Sequence, residues 1–335
     1  MKKSNTYIIA EIGINHNGSM KIAKRLILDA KEAGASAAKF QVFETETLGR
    51  PKMKKNLDQI KNSKKNISLS KMWKRVYLDT NNLKILKNFC KKNKIDFICS
   101  VFDDKSLNKV LKIGVDYLKI ASSDINDIVL LKKIKKTKKK VILSTGMATY
   151  KEIVTARKIL GNKIVILHCV SLYPCSIDNA NLKRIVSLKS KFNNKIGYSD
   201  HTIGNGACKI AITLGASVIE KHFTFNKKLI GADHNISANK EDLKEIVSFA
   251  KNYSKFLGSG KINPTKLEMK NKKFFRKGIY FSKDINKNTK INLDHISFLR
   301  PANKIKLNDY KKFIGKNLKR NVIKFQKVEM KLFSN

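Results

Sequence analysis

The chain has 335 residues, enough for one large domain and a small one, and it contains no apolar run of the length a membrane-spanning helix needs. Its five cysteines (Cys90, Cys99, Cys169, Cys175, Cys208) are odd in number and form no CxxC pair, which excludes a disulfide framework and a cysteine-built zinc site and fits reduced thiols in a cytoplasm. The net charge of +45 points to nucleic acid or an anionic membrane. Yet only eight of the 71 basic residues are arginine, and they are scattered along the whole chain, so the excess reads as lysine on solvated helix faces.

Tyr7 opens the first apolar run, and Glu11 interrupts it too early for a secretory signal. Strands are predicted at 7–10, 37–42, 96–99, 117–120, 141–143, 164–168, 196–198 and 218–221, each followed by a helical pattern. In the first helix Ile22, Ala23, Leu26, Ile27, Ala30 and Ala33 form a 3.6-period stripe, Ser19 can cap its start and Gly34 its end. Eight such units in series predict a parallel (β/α)8 barrel over residues 1–256. A doubly wound sheet is the competitor, and the GxGxxG fingerprint it usually carries is absent. The lysine-rich connection from 44 to 79 is long enough to be a lid or a binding element. Residues 257–273 read as a linker with Gly, Pro and charge, and 274–335 as a small domain of short strands and turns.

Barrel enzymes gather their chemistry at the carboxyl ends of the strands. Here those ends bring Glu11, Lys39 and Gln41, then Ser100, Lys119, Ser122 and Ser144, then His168, Tyr173, Ser199-Asp200-His201 and Lys221-His222. Two lysines and four serine hydroxyls suit a pocket for a phosphate and a carboxylate. His201 and His222 end adjacent strands, so their imidazoles can converge on a divalent metal with open positions for water and substrate. Each group also has a plainer reading: a buried lysine pairs with a barrel carboxylate, an isolated histidine is structural, and a strand-end serine caps a helix. One phosphate-plus-metal site accounts for all of them together. His16 and His168 read as structural, His295 as surface, and Asp233 or His234 as within reach of substrate.

The segments AEIGINHNGS, KFQVF, KIASSD, ILSTGM, LHCVSLYP, GYSDHT, IEKHFT and GADHNIS occur in this order. Together they resemble the sialic acid synthase family, legionaminate-type synthases included, over essentially the whole chain. The tail, RKGIYFSKDINKNTKIN…RP, resembles the antifreeze-like (SAF) domain fused to those enzymes. The resemblance implies a transferase that condenses phosphoenolpyruvate with an N-acylated hexose and releases phosphate. It implies that His201 and His222 hold the metal, Mn²⁺ or else Mg²⁺ or Co²⁺. It implies that Lys39, Ser100, Lys119, Ser122, Ser144 and Ser199 hold phosphoenolpyruvate, and that Glu11, Gln41, Tyr173 and Asp233 face the sugar. It further implies a domain-swapped homodimer in which Arg300 reaches the partner's substrate. Asp124 stands where the family often has Glu, which keeps a carboxylate for activating water but shortens its reach by one methylene.

The acceptor expected is N-acetylmannosamine, giving N-acetylneuraminate; the alternative is a 2,4-diacetamido-trideoxy hexose, giving a legionaminate. A Schiff-base aldolase using Lys119 and a non-catalytic basic nucleic-acid-binding protein are more distant rivals.

Overall fold

The computed structural model describes residues 6–49 and 68–334. Eight strands close into a parallel barrel in sequence order: β1 (Tyr7–Gly13), β2 (Ala37–Val42), β3 (Asp96–Val101), β4 (Tyr117–Ile120), β5 (Lys140–Ser144), β6 (Val165–Cys169), β7 (Lys195–Asp200) and β8 (Val218–His222). β8 returns to β1 with His222 opposite Glu11.

Because side chains alternate along a strand, each strand sends every second residue into the barrel. Ile9, Ala37, Ile98, Ile142, Leu167 and Val218 meet there as one apolar layer, with Tyr7, Tyr117 and Val165 packed against it. The intervening residues, among them Ala10, Phe40, Cys99, Leu118, Ile166 and Ile219, face outward and form the main core with the surrounding helices. Two residues beyond the apolar layer the interior positions are Glu11, Lys39, Ser100, Ser144 and Glu220, all polar, with the Cys169 thiol on β6. That shift places a polar floor under the mouth of the barrel while burying the apolar layer completely.

Local signals behave as the sequence suggests. Ser19 caps helix Met20–Glu32 by accepting from the Ile22 N–H, and Gly34 follows the helix at φ +90°. Gly18 has a structural reason of its own: a Cβ there would lie 2.1 Å from the Arg75 carbonyl oxygen. Arg75 sits at the end of helix Leu69–Val76, which starts at a Ser68 cap inside the stretch read as one long loop. Residues 50–67 of that stretch lie outside the described residues.

The chain divides into units Met1–Gly258 and Ser259–Asn335. The second contains helix Lys266–Phe275, capped by Thr265 and Glu268, where the sequence reads as a linker. Beyond it β9 (Gly278–Phe281) pairs antiparallel with β10 (Ile296–Leu299). Isolated bridges such as Ile285–Val322 and Leu318–Phe333 extend this small β unit. Ile279, Phe281, Ile291, Phe313, Val328 and Phe333 give it its own core. All five cysteines are unpaired and buried. Among the described residues no helix is long and apolar enough to cross a membrane.

Candidate active site

The polar interior positions surround a cavity of about 330 Å³ at the carboxyl ends of the strands. Lys39 from β2 and Lys119 from β4 enter it, and both are almost wholly buried. Neither stands alone. The Lys39 ammonium is 2.8 Å from Glu11 Oε2 and 3.5 Å from Glu220 Oε2, and it donates to Ser100 Oγ at 3.0 Å. Lys119 lies 3.9 Å from Glu220 Oε1 and donates to the Ile120 carbonyl at 3.0 Å. Burial pulls the Lys39 ammonium down, but Glu11 and Glu220 outweigh it and hold Lys39 above the ordinary lysine range. Lys119 shares one of these carboxylates and sits beside a second cation, so burial prevails and lowers it. The floor of the cavity is therefore a lattice of two lysines and two carboxylates in mutual contact.

Hydroxyls complete the wall. Ser100, Ser122, Ser144 and Ser199 all line it, and Ser199 donates to Glu220 Oε1 at 2.8 Å. The buried Ser144 and Ser171 hydroxyls have no hydrogen-bond partner among the described residues. An unmatched buried hydroxyl costs stability unless a ligand satisfies it. Gly146 explains how the β5 loop comes so close: its N–H donates to Ser122 Oγ at 3.0 Å, and a Cβ there would lie 2.3 Å from Ser171 Oγ and 2.8 Å from Ser122 Oγ.

His201 and His222 meet on the opposite side, with ring centroids 5.4 Å apart. His201 Nδ1 sits 2.8 Å from the Val170 carbonyl, which fixes that nitrogen as the donor and leaves Nε2 as the ligand atom. His222 is held well below the ordinary histidine range by burial and by its cationic neighbours, and its Nδ1 is buried without a hydrogen bond. Two imidazoles facing one cavity are, in their neutral forms, a donor set for a divalent first-row metal. Among the described residues no group of three His, Cys, Asp or Glu side chains could hold a metal ion, so an ion at this pair would take the rest of its coordination from water or substrate. The residues fit the metal on those terms.

Toward the mouth, Gln41 Nε2 donates to Glu11 Oε1 at 2.9 Å. The Tyr173 ring lies 4.1 Å from His201. Asp233 Oδ2 lies 3.6 Å from His222 Nδ1, and burial raises its carboxyl to about 6. Asp124 is in the short turn Ser122–Asp124 after β4, one residue past the wall-forming Ser123, from which it accepts a hydrogen bond at 2.8 Å; burial raises it too to about 6. Arg300 follows β10 in the second unit and is exposed.

The sequence reading left out Glu220, the carboxylate that touches both lysines. Strict period-two counting on β8 would have found it, because Val218, Glu220 and His222 share one face. The same counting removes Asp200 and Lys221 from the cavity: they alternate outward and pair with each other at 2.8 Å. Cys169, Ser171 and Phe102 also line the wall unforeseen. His168 bonds the Ala180 carbonyl and stacks on Tyr198, and His16 accepts from the Gly18 N–H, so both are structural. His234 is engaged by Thr224 at 2.7 Å and Asn17 at 3.2 Å, which fastens the loop that carries Asp233.

Known proteins resemble this chain over most of its length. The model of the NeuB family matches residues 26–262. An N,N'-diacetyllegionaminic acid synthase of Campylobacter jejuni is 39% identical over 327 residues, covering 96% of this chain and 97% of that protein. A pseudaminic acid synthase of the same species is 32% identical over 335 residues, covering 94% and 93%. Among solved structures, N-acetylneuraminic acid synthetase from Leptospira borgpetersenii, in complex with citrate, matches with a TM-score of 0.69 and 37% identity, covering 79% of this chain and 90% of that one.

Proposed function

The chain belongs to the NeuB family, and we propose that it condenses phosphoenolpyruvate with an N-acetylated hexose to give a nine-carbon 2-keto acid sugar and phosphate. The observation that carries this reading is the convergence of Lys39, Lys119 and the wall serines with the His201–His222 pair in one cavity. A small trianionic substrate needs the first set, and an aldehyde acceptor needs the second.

The residues take the following parts. Lys39 and Lys119 bind the phosphate and carboxylate, with the hydroxyls of Ser100, Ser122, Ser144 and Ser199 as donors. Glu11, Gln41, Tyr173 and Asp233 orient the open-chain sugar. The enol carbon attacks the sugar aldehyde, forming a C–C bond. Water then adds at C2, its proton passing to Asp124, and the C–O bond to phosphate breaks. A divalent ion held by His201 and His222, proposed as Mn²⁺, supplies Lewis-acid polarisation of the acceptor carbonyl when bound.

We propose further that Arg300 of a second copy reaches the acceptor, in a domain-swapped dimer whose small antifreeze-like unit caps the partner's barrel. The exposure of Met147, Ile177, Ile203 and Ile230 on the loops at the carboxyl ends of the strands supports a cap of some kind there. Leu267, Phe274 and Phe275 on helix Lys266–Phe275 are likewise exposed in the single chain, as a surface buried by a partner would be.

N-acetylmannosamine is the acceptor suggested by the sequence. The 39%-identical relative named a diacetyllegionaminic acid synthase favours a 2,4-diacetamido-2,4,6-trideoxy hexose instead. Phosphate release by the purified protein with Mn²⁺, phosphoenolpyruvate and each sugar in turn separates the two, with the product identified by mass. Release with neither sugar would refute both.

A further inference from the structure

Directly behind the two imidazoles lies a buried ion pair that the proposed chemistry does not use. Asp200 and Lys221 are register partners on β7 and β8, are 0% and 1% exposed, and each immediately precedes one of the two histidines. Their side chains point away from the cavity, into the layer between the sheet and helix Gly206–Thr213. Lys221 Nζ lies 2.8 Å from Asp200 Oδ2 and also bonds the Thr202 carbonyl, the residue after His201. Asp200 Oδ1 accepts from the Thr202 N–H at 2.8 Å and from Tyr198 Oη at 3.0 Å, and Oδ2 accepts from Cys208 Sγ at 3.1 Å. The two Lys221 bonds fasten the backbone on either side of His201 to the strand that bears His222, and the other three hold in place the Asp200 carboxylate that receives one of them.

A buried ion pair is a poor means of stabilising a barrel. Desolvating both charges costs about what their attraction returns, and a neutral pair of similar shape is often as stable. What such a network does well is fix geometry, because a fully satisfied set of directional bonds admits one arrangement. Two imidazoles whose separation sets a metal site are a place where that matters.

We propose that the Asp200–Lys221 pair is a positioning element that sets the spacing and orientation of the His201 and His222 imidazoles and thereby the divalent-cation affinity of the cavity. It rests on the reading that these histidines hold the metal. The competing role, attachment of helix Gly206–Thr213 to the sheet, predicts a change in stability alone.

The test is Mn²⁺ titration of the metal-stripped full-length protein, read by loss of the free-ion EPR signal and paired with the thermal midpoint of each apo variant. The double variant Asp200→Asn/Lys221→Met removes both charges at nearly constant shape. We expect it to fold and to bind Mn²⁺ about 10- to 100-fold more weakly, the usual cost of losing support behind a metal ligand. Tyr198→Phe, which deletes one donor to Asp200, is expected to weaken binding about threefold with little change in the apo midpoint, and it decides the matter if the double variant does not fold. Unchanged Mn²⁺ affinity in the folded variants, with wild type binding tightly and His201→Ala not binding, would overturn the positioning role alone. No histidine-dependent binding in wild type would instead overturn the reading on which it rests.

Discussion

Lys39 and Glu11 face each other 2.8 Å apart inside the barrel, one from β2 and one from β1, with Glu220 completing the contact from β8. The two carboxylates outweigh burial and hold the Lys39 ammonium above the ordinary lysine range. Lys39→Met leaves two buried carboxylates without their main counter-ion. It is expected to lower stability by about 3 kcal/mol, within the range for breaking a buried pair, and to raise KM for phosphoenolpyruvate at least about tenfold. The double variant Lys39→Met/Glu11→Gln should regain part of the stability and none of the affinity. Urea unfolding and initial rates check both halves.

Glu220 joins the two lysines, so its removal should not resemble the loss of a sugar contact. Glu220→Gln keeps the Ser199 hydrogen bond and removes the charge. Lys119, already lowered by burial, then loses the attraction that opposes it. The expected result is a drop in kcat/KM of about a hundredfold that eases at lower pH as Lys119 regains its proton. A pH-independent loss would assign Glu220 a different part.

Gly146 is required by contact rather than by backbone conformation. Gly146→Ala places a methyl within 2.8 Å of the Ser122 hydroxyl and still closer to that of Ser171. Displacing two hydroxyls from the wall should raise KM for phosphoenolpyruvate about tenfold, roughly two weak hydrogen bonds, while the thermal midpoint moves little.

Asp124 gives the pH dependence. Burial raises its carboxyl from the ordinary aspartate value to about 6, with Lys119 opposing and Asp127 and Asp103 reinforcing the rise. The folded value lies above the unfolded one, so the ionised form opposes folding. That cost is absent below about pH 4, grows as pH rises toward 6 and is constant above. For catalysis the sign is reversed, because a base must be ionised: kcat/KM should climb through pH 6. Asp124→Asn should lower the rate by about two to four orders of magnitude and abolish that limb, whereas Asp124→Glu should retain it. A limb that survives in Asp124→Asn would point to another group.

Much of this was legible in the residues, because a parallel barrel writes its strands as eight apolar runs at even spacing and its chemistry as the polar residue that ends each run. Reading stopped short where the end of a strand holds several polar residues together. In Glu220-Lys221-His222 three polar residues run together, and only strict alternation assigns Glu220 to the cavity and Lys221 to the outer layer. Asp200 was misplaced for the same reason. Helix Lys266–Phe275 escaped notice because Gly258, Gly260 and Pro264 just before it carry the composition of a linker, and its apolar residues lie exposed rather than in a buried stripe. The wall residues Cys169 and Ser171 follow from the same alternation, two and four places beyond the inward-facing Leu167, but only closure of the barrel brings them beside Ser122 and His201.

The central claim is that the enol carbon attacks and the C–O bond breaks. Phosphoenolpyruvate labelled with ¹⁸O at the bridging oxygen, incubated with Mn²⁺, each acceptor sugar and the purified protein, tests it directly. The expected outcome is acceptor-dependent release of phosphate that carries the label, with the mass of the nine-carbon acid in the other product. Label retained in the sugar acid, or phosphate released without any acceptor, would contradict it.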